Sequence, residues 1–244
     1  VSAGTNITQN AKTTLTNDST VTATGAIDQD AVGKIWNKNT VQAGTTIGMT
    51  STGAGIQNDT TVTAGGALTQ NAKTTLLNTG AVQATGIDQD AVTSITNSST
   101  VKATTGAITQ DSAGNINNVG AVEAGTSIAM NSTGGAITIG TDQTAANVTA
   151  TKGVTIGTTN GAITIHGGVA SNSTADADNV SIKTATTGNI TVDGGVSSAK
   201  GSVEVGTTTG TITLGKDAAM LLPLKAQPPQ GLPPPIAVSP CMAT

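Results

Sequence analysis

Two pairs of carboxylates are the residues best placed for chemistry. Asp28 and Asp30 are the acids of Ile-Asp-Gln-Asp, and Asp88 and Asp90 repeat that arrangement further along the chain. On an extended strand, side chains two apart share a face at about 7 Å. That lies within the range inverting glycosidases use to fit a water between acid and base. A polysaccharide hydrolase or lyase built on this chain would use these four aspartates as its catalytic residues. Neither pair has an Arg or His beside it in sequence, and both recur in duplicated segments. The reading adopted is therefore an outward, solubilising pair, with calcium binding a lesser option.

The other reactive side chains are sparse. His166 is the single histidine, and alternation after Ile165 predicts that it faces outward as an isolated ring. Cys241 is the single cysteine, so neither an intramolecular disulfide nor a multi-cysteine metal site can be built. No Gly-x-Ser-x-Gly elbow accompanies the histidine. No metal site and no cofactor are expected. Trp36 and Leu77 share an outward slot two units apart and form a candidate surface contact.

The elements that carry these residues follow from composition and periodicity. The 244 residues include no Phe, no Tyr, one Trp and 31 Gly, so large aromatic anchors cannot build the core. Apolar residues still reach 36%, mostly Ala, Val and Ile, and charged residues only 10%, which argues against a disordered, solvating chain. All ten basic residues are Lys, the net charge is -4 and no basic cluster occurs, so nucleic-acid binding is not expected. No apolar run approaches the length of a membrane-spanning helix. The chain opens in mid-pattern at Val1-Ser-Ala-Gly, which suggests a mature product or a fragment with its export signal elsewhere.

Self-similarity is plain. Val-x-Ala starts at Val1, Val21, Val41, Val62, Val82, Val101 and Val122. An Ile/Leu-x-Asn marker ends at Asn17, Asn37, Asn58, Asn78, Asn97 and Asn118, each four residues before the next valine. A middle segment reads Ile7-Thr-Gln9, Ile27-Asp-Gln29, Ile47-Gly-Met49, Leu68-Thr-Gln70, Ile87-Asp-Gln89, Ile108-Thr-Gln110 and Ile128-Ala-Met130. Each unit of roughly 20 residues thus holds three short strands with Gly- and Asn-rich turns. Residues 8–32 reappear at 69–92 with one residue deleted, as duplication of whole units would produce.

Three regions follow. Residues 1–147 carry the regular repeats, and residues 148–215 carry longer, glycine-rich units such as Val154-Thr-Ile with Ile163-Thr-Ile. Residues 216–244 hold all seven prolines and cannot join a strand ladder; they are expected to form a cap or tail, with Met220, Leu221, Leu222 and Leu224 folding back over the last unit.

One unit buries only a few aliphatic side chains, far too little to offset the entropy of ordering about 20 residues, so units must stack. Neighbouring strands then exchange parallel hydrogen bonds about 4.8 Å apart, and ten units make a rod on the order of 50 Å long. Stacked asparagines at that spacing are expected to form an amide ladder relieving unpaired groups at a turn, with the Gln and Met series either inside the coil or at a corner. The open ends of such a rod invite end-to-end self-association.

Gly106-Ala-Ile-Thr-Gln110, Val41-Gln-Ala-Gly-Thr-Thr-Ile47 and the Gly-x-Ile-Thr-Ile/Val-x-Gly runs at 161–167 and 188–194 resemble the repeats of filamentous haemagglutinin-type exoproteins. The resemblance covers about residues 1–215. It implies an all-β, right-handed parallel β-helix with roughly 20-residue rungs, exported through an outer-membrane transporter or an attached barrel and acting in adhesion. The sequence lacks that family's Asn-rich secretion domain, a carboxy-terminal barrel and, having no Arg, an Arg-Gly-Asp motif. The resulting expectation is a non-enzymatic scaffold, extracellular or on the bacterial cell surface, whose partner is a host or abiotic surface or a glycan. A glycan-active β-helix enzyme is the main alternative. An ice-binding or self-assembling filament is a further one, weakened because the slot after the repeat valine runs Ser2, Thr22, Gln42, Thr63, Gln83, Lys102, Glu123 and charges interrupt it.

Overall fold

Because β-branched residues alternate with small polar ones in runs of three to five, every unit can offer an apolar face only as short strands. A computed structural model describes residues 1–174 and 178–215. Among these residues there is no helix, hence none long and apolar enough to cross a membrane. The chain coils into a three-sided parallel β-helix. Each turn contributes one strand to each of three ten-stranded sheets. The second turn, for example, supplies Val21–Ala23, Ile27–Ala31 and Ile35–Asn37.

Register is set by like upon like. Val21 stacks on Val41, Ile27 on Ile47 and Asn37 on Asn58. A slip of one residue would turn every inward side chain outward, so the alternation fixes the pairing. In the first six rungs the inward positions are filled by Val and Ala in the first sheet, by Ile or Leu, then Gln or Met, then Ala or Ser in the second, and by Ile or Leu and Asn in the third; later rungs put Val, Ile and Thr in the second sheet's slots and Ile or Val in place of Asn. One continuous core results.

All three sheets run unbroken through residues 147 and 148. What changes there is the length of the rungs. Val101 pairs with Val122, whereas Val122 pairs with Val148. The extra length is a corner: residues 140–147 make the turn that 119–121 make one rung earlier. A second extension follows Val169–Ser171 and begins at Asn172. The longer rungs therefore begin at a corner just before residue 148. The proline-rich segment 216–244, with the proposed cap and Cys241, lies outside the described residues.

The asparagines correct one sequence expectation. They stack directly, as expected, but within the bore and not at a turn. Asn17, Asn37, Asn58, Asn78, Asn97 and Asn118 are the last residues of third-sheet strands, and their side chains are buried. Each Nδ2 donates to the Oδ1 of the next rung at 2.7–2.8 Å, from Asn17 to Asn37 through to Asn97 to Asn118. The glutamines face them from the second sheet and are also inside.

Candidate functional site

The second sheet places the aspartates. In Ile27–Ala31 and Ile87–Ala91 the first, third and fifth residues are buried, so Asp28, Asp30, Asp88 and Asp90 point outward as expected. Along the axis the neighbours of Asp28 are Thr8 and Gly48, and those of Asp30 are Asn10 and Thr50. Asp88 lies between Thr69 and Thr109, and Asp90 between Asn71 and Asp111. Asp111 is thus a fifth member that the sequence reading missed. Its signal was present, since it occupies in Ile108–Ser112 the slot that Asp90 fills in Ile87–Ala91.

Asp30, Asp90 and Asp111 line shallow furrows along the sheet's edge. Asn71, Asp90, Asp111 and Asn131 form one side, with Val92, Ala113 and Thr133 opposite. Three rungs earlier, Asn10, Asp30 and Thr50 face Lys12, Val32 and Thr52 in the same way. Val32 and Val92 are 56% and 50% exposed, so each furrow carries an uncovered apolar residue beside an acid.

Partial burial, more than any charge, pushes the carboxyls of Asp28, Asp88 and Asp90 above the ordinary range. The neighbouring charge adds to it: Asp30 for Asp28, Asp111 for Asp88, and Asp88 with Asp111 for Asp90. That is the direction a general acid requires. A hydrolase also needs a facing base or nucleophile across a bound sugar; the furrow at Asp90 holds Asp111 from the same outward column, and the remaining lining of the two furrows is Asn, Ser, Thr, Ala, Val and Lys.

Trp36 and Leu77 do share an outward column, with Gln57 between them. The expected sticky spot is otherwise composed. The Trp36 indole Nε1 donates to Asp59 Oδ2 at 2.7 Å, and Lys34 and Lys38 place their Nζ atoms 4.6 and 4.4 Å from the ring centroid. Gln57 Nε2 donates to Asp59 Oδ1 at 2.6 Å, and Lys38 pairs with Asp18 at 2.6 Å. The lone aromatic is the centre of a polar staple across three rungs, with lysines over its ring. The Gln57 amide and the Trp36 indole hold Asp59 below the usual carboxylate range, with Lys34 and Lys38 adding to the effect.

His166 departs furthest from expectation. It faces outward, yet its side chain is only 17% exposed, and Asp193 from the next rung and Asp142 from the long corner below both approach its ring nitrogens. Nδ1 lies 2.8 Å from Asp193 Oδ2, and Nε2 lies 3.5 Å from Asp142 Oδ1. Alternation along one strand cannot reveal partners that arrive from other rungs.

Among the described residues no group of three or more His, Cys, Asp and Glu side chains is arranged to enclose a metal ion. Compared with protein families, with curated proteins and with solved structures, the chain matches none.

Proposed function

We propose that this β-solenoid acts as a rigid scaffold of an adhesin-like exoprotein, outside the cell or on the bacterial surface, presenting its outward columns to a host or abiotic surface or a glycan. Export through an outer-membrane transporter belongs to the same reading. The observation that supports it most is where the closest polar geometry lies. The amides of the bore hydrogen-bond to one another and serve the rod itself. The outward columns instead present polar side chains such as Thr22, Gln42 and Thr63 in open rows. An elongated body with a repetitive outer face suits many weak contacts acting together, whose avidity exceeds that of any one.

The rival reading, a glycan-active enzyme, is favoured by the raised carboxyls of Asp88 and Asp90. One experiment separates the two. Beads coated with the purified protein are retained under flow on glycan-coated and abiotic surfaces, and the Asp88→Asn, Asp90→Asn double variant is retained equally. Release of reducing ends or unsaturated sugars from a polysaccharide panel, lost in that variant, would establish the enzyme instead. Retention no better than that of albumin-coated beads would overturn the adhesin reading.

A further inference from the structure

We propose that His166 and Asp142 bind a single divalent transition-metal ion of the zinc type, with Asp193 as the positioning residue of the imidazole. The chain's one histidine follows the strand Ile163–Ile165 directly, where the wall of the rod meets a corner. One rung below, that corner is the extended segment 140–147; one rung above, it is Asp193. Three successive rungs therefore converge on one ring.

The ring's orientation follows from its partners. An ionised carboxylate only accepts, so the 2.8 Å contact with Asp193 fixes the proton of the neutral imidazole on Nδ1. Nε2 then presents its lone pair toward Asp142. A carboxylate on the far nitrogen is the usual support for a metal-bound histidine, raising its basicity and fixing its plane.

The distance to Asp142 points the same way. At 3.5 Å, Nε2 and Oδ1 are too far apart for a good hydrogen bond. Two donors at zinc bond lengths, set at the tetrahedral angle, lie about 3.4 Å apart. The pair thus has the span of one tetrahedral edge. Imidazole with carboxylate suits zinc, nickel or copper, whereas calcium and magnesium require oxygen alone.

The corner is shaped to hold this span. Thr141 and Thr144 exchange backbone hydrogen bonds of 2.9 and 3.0 Å on either side of Asp142 and Gln143. Gly140 enters the turn at φ +76, where a Cβ would meet the Thr144 carbonyl at 2.7 Å and His166 Cβ at 3.1 Å. The turn is therefore packed against the base of the His166 side chain. Asp142 itself is 94% exposed, so two protein donors stand at an open rim and water fills the remaining positions of the ion. This is a site of moderate affinity.

A single histidine makes the test clean. Untagged protein labelled with 15N is titrated with zinc chloride while the long-range 1H–15N spectrum of the imidazole is recorded. The Nε2 resonance should move saturably while Nδ1 retains its proton, and calcium chloride should leave both unmoved. Asp193→Asn should weaken binding about 10- to 100-fold, and Asp142→Asn, which removes a direct donor, at least as much. His166→Ala should abolish it with the backbone amide spectrum preserved. The proposal is overturned if zinc in large excess leaves Nε2 unmoved, if the ion binds Nδ1, or if Asp142→Asn binds as the parent does. That last result would mean a lone imidazole and an ordinary ion pair.

Discussion

Asn97 and Gln89 face each other across the bore of one rung and exchange two hydrogen bonds, Asn97 Nδ2 to Gln89 Oε1 at 3.0 Å and Gln89 Nε2 to Asn97 Oδ1 at 3.2 Å. Each also takes part in a ladder along the axis. Asn97 donates forward to Asn118, whereas Gln89 donates backward to Gln70. The two amide ladders run in opposite directions, so their dipoles oppose. Every donor and acceptor of both side chains is used, which is what a buried amide requires. Where methionine replaces glutamine, sulfur serves as a weak acceptor. Met130 Sδ takes the last donor of the ladder, from Asn118 at 3.7 Å.

Asn97→Ala removes four hydrogen bonds and leaves partners on Asn78, Asn118 and Gln89 buried without replacement. It should destabilise the rod by about 3 kcal/mol or more. Gln89→Met should cost less, because Met49 and Met130 already occupy that position in other rungs. Urea denaturation followed by circular dichroism measures both, and equal losses would contradict the ranking.

The aspartates give a pH dependence of opposite sign to ordinary acid denaturation. Asp28, Asp88 and Asp90 have carboxyls raised in the fold above the unfolded value of 3.8. Between the two values the folded state holds more protons, so stability falls as pH rises through that window. The contribution is fully present below the unfolded value and absent above the folded one. The Asp88→Asn, Asp90→Asn variant should therefore melt higher than the parent at neutral pH and alike at acid pH. Melting curves across pH that stay parallel would refute this.

Trp36 supplies a different kind of stability. Its indole hydrogen bond to Asp59 and its two lysine contacts are surface interactions, worth about 1 kcal/mol together once solvent screening is included. Trp36→Leu should lose roughly that amount in low salt and less in high salt, as read by chemical denaturation. A loss as large as that of Asn97→Ala would make the staple part of the core.

Gly140 is one of three described glycines with a positive φ, together with Gly188 and Gly210. At φ +76 an L-residue is strained, and its Cβ would press on the Thr144 carbonyl and on His166. Gly140→Ala should cost about 1–2 kcal/mol or more. It should also shift the His166 imidazole resonances, because the turn that carries Asp142 must move. An unchanged imidazole spectrum would separate the corner from the histidine.

The sequence by itself determined the three-stranded rung, its period and its register. The valines at 21, 41 and 62 and the asparagines at 37, 58 and 78 repeat in one phase, and alternation leaves only one face for each to occupy. It also determined that Asp28, Asp30, Asp88 and Asp90 point outward, for the same reason. Periodicity states which face a side chain takes but not what meets it there. The pairing of Asn97 with Gln89 crosses the bore between two sheets, and depends on how far apart the rung's corners hold them. The staple around Trp36 and the contacts of His166 join side chains 20 to 27 residues apart, brought within reach only because the coil places successive rungs one strand spacing apart. Where the repeat is regular, one-dimensional pattern and three-dimensional contact coincide; at the long corner 140–147 the period breaks, and only the folded chain decides that Asp142 comes to rest beside His166.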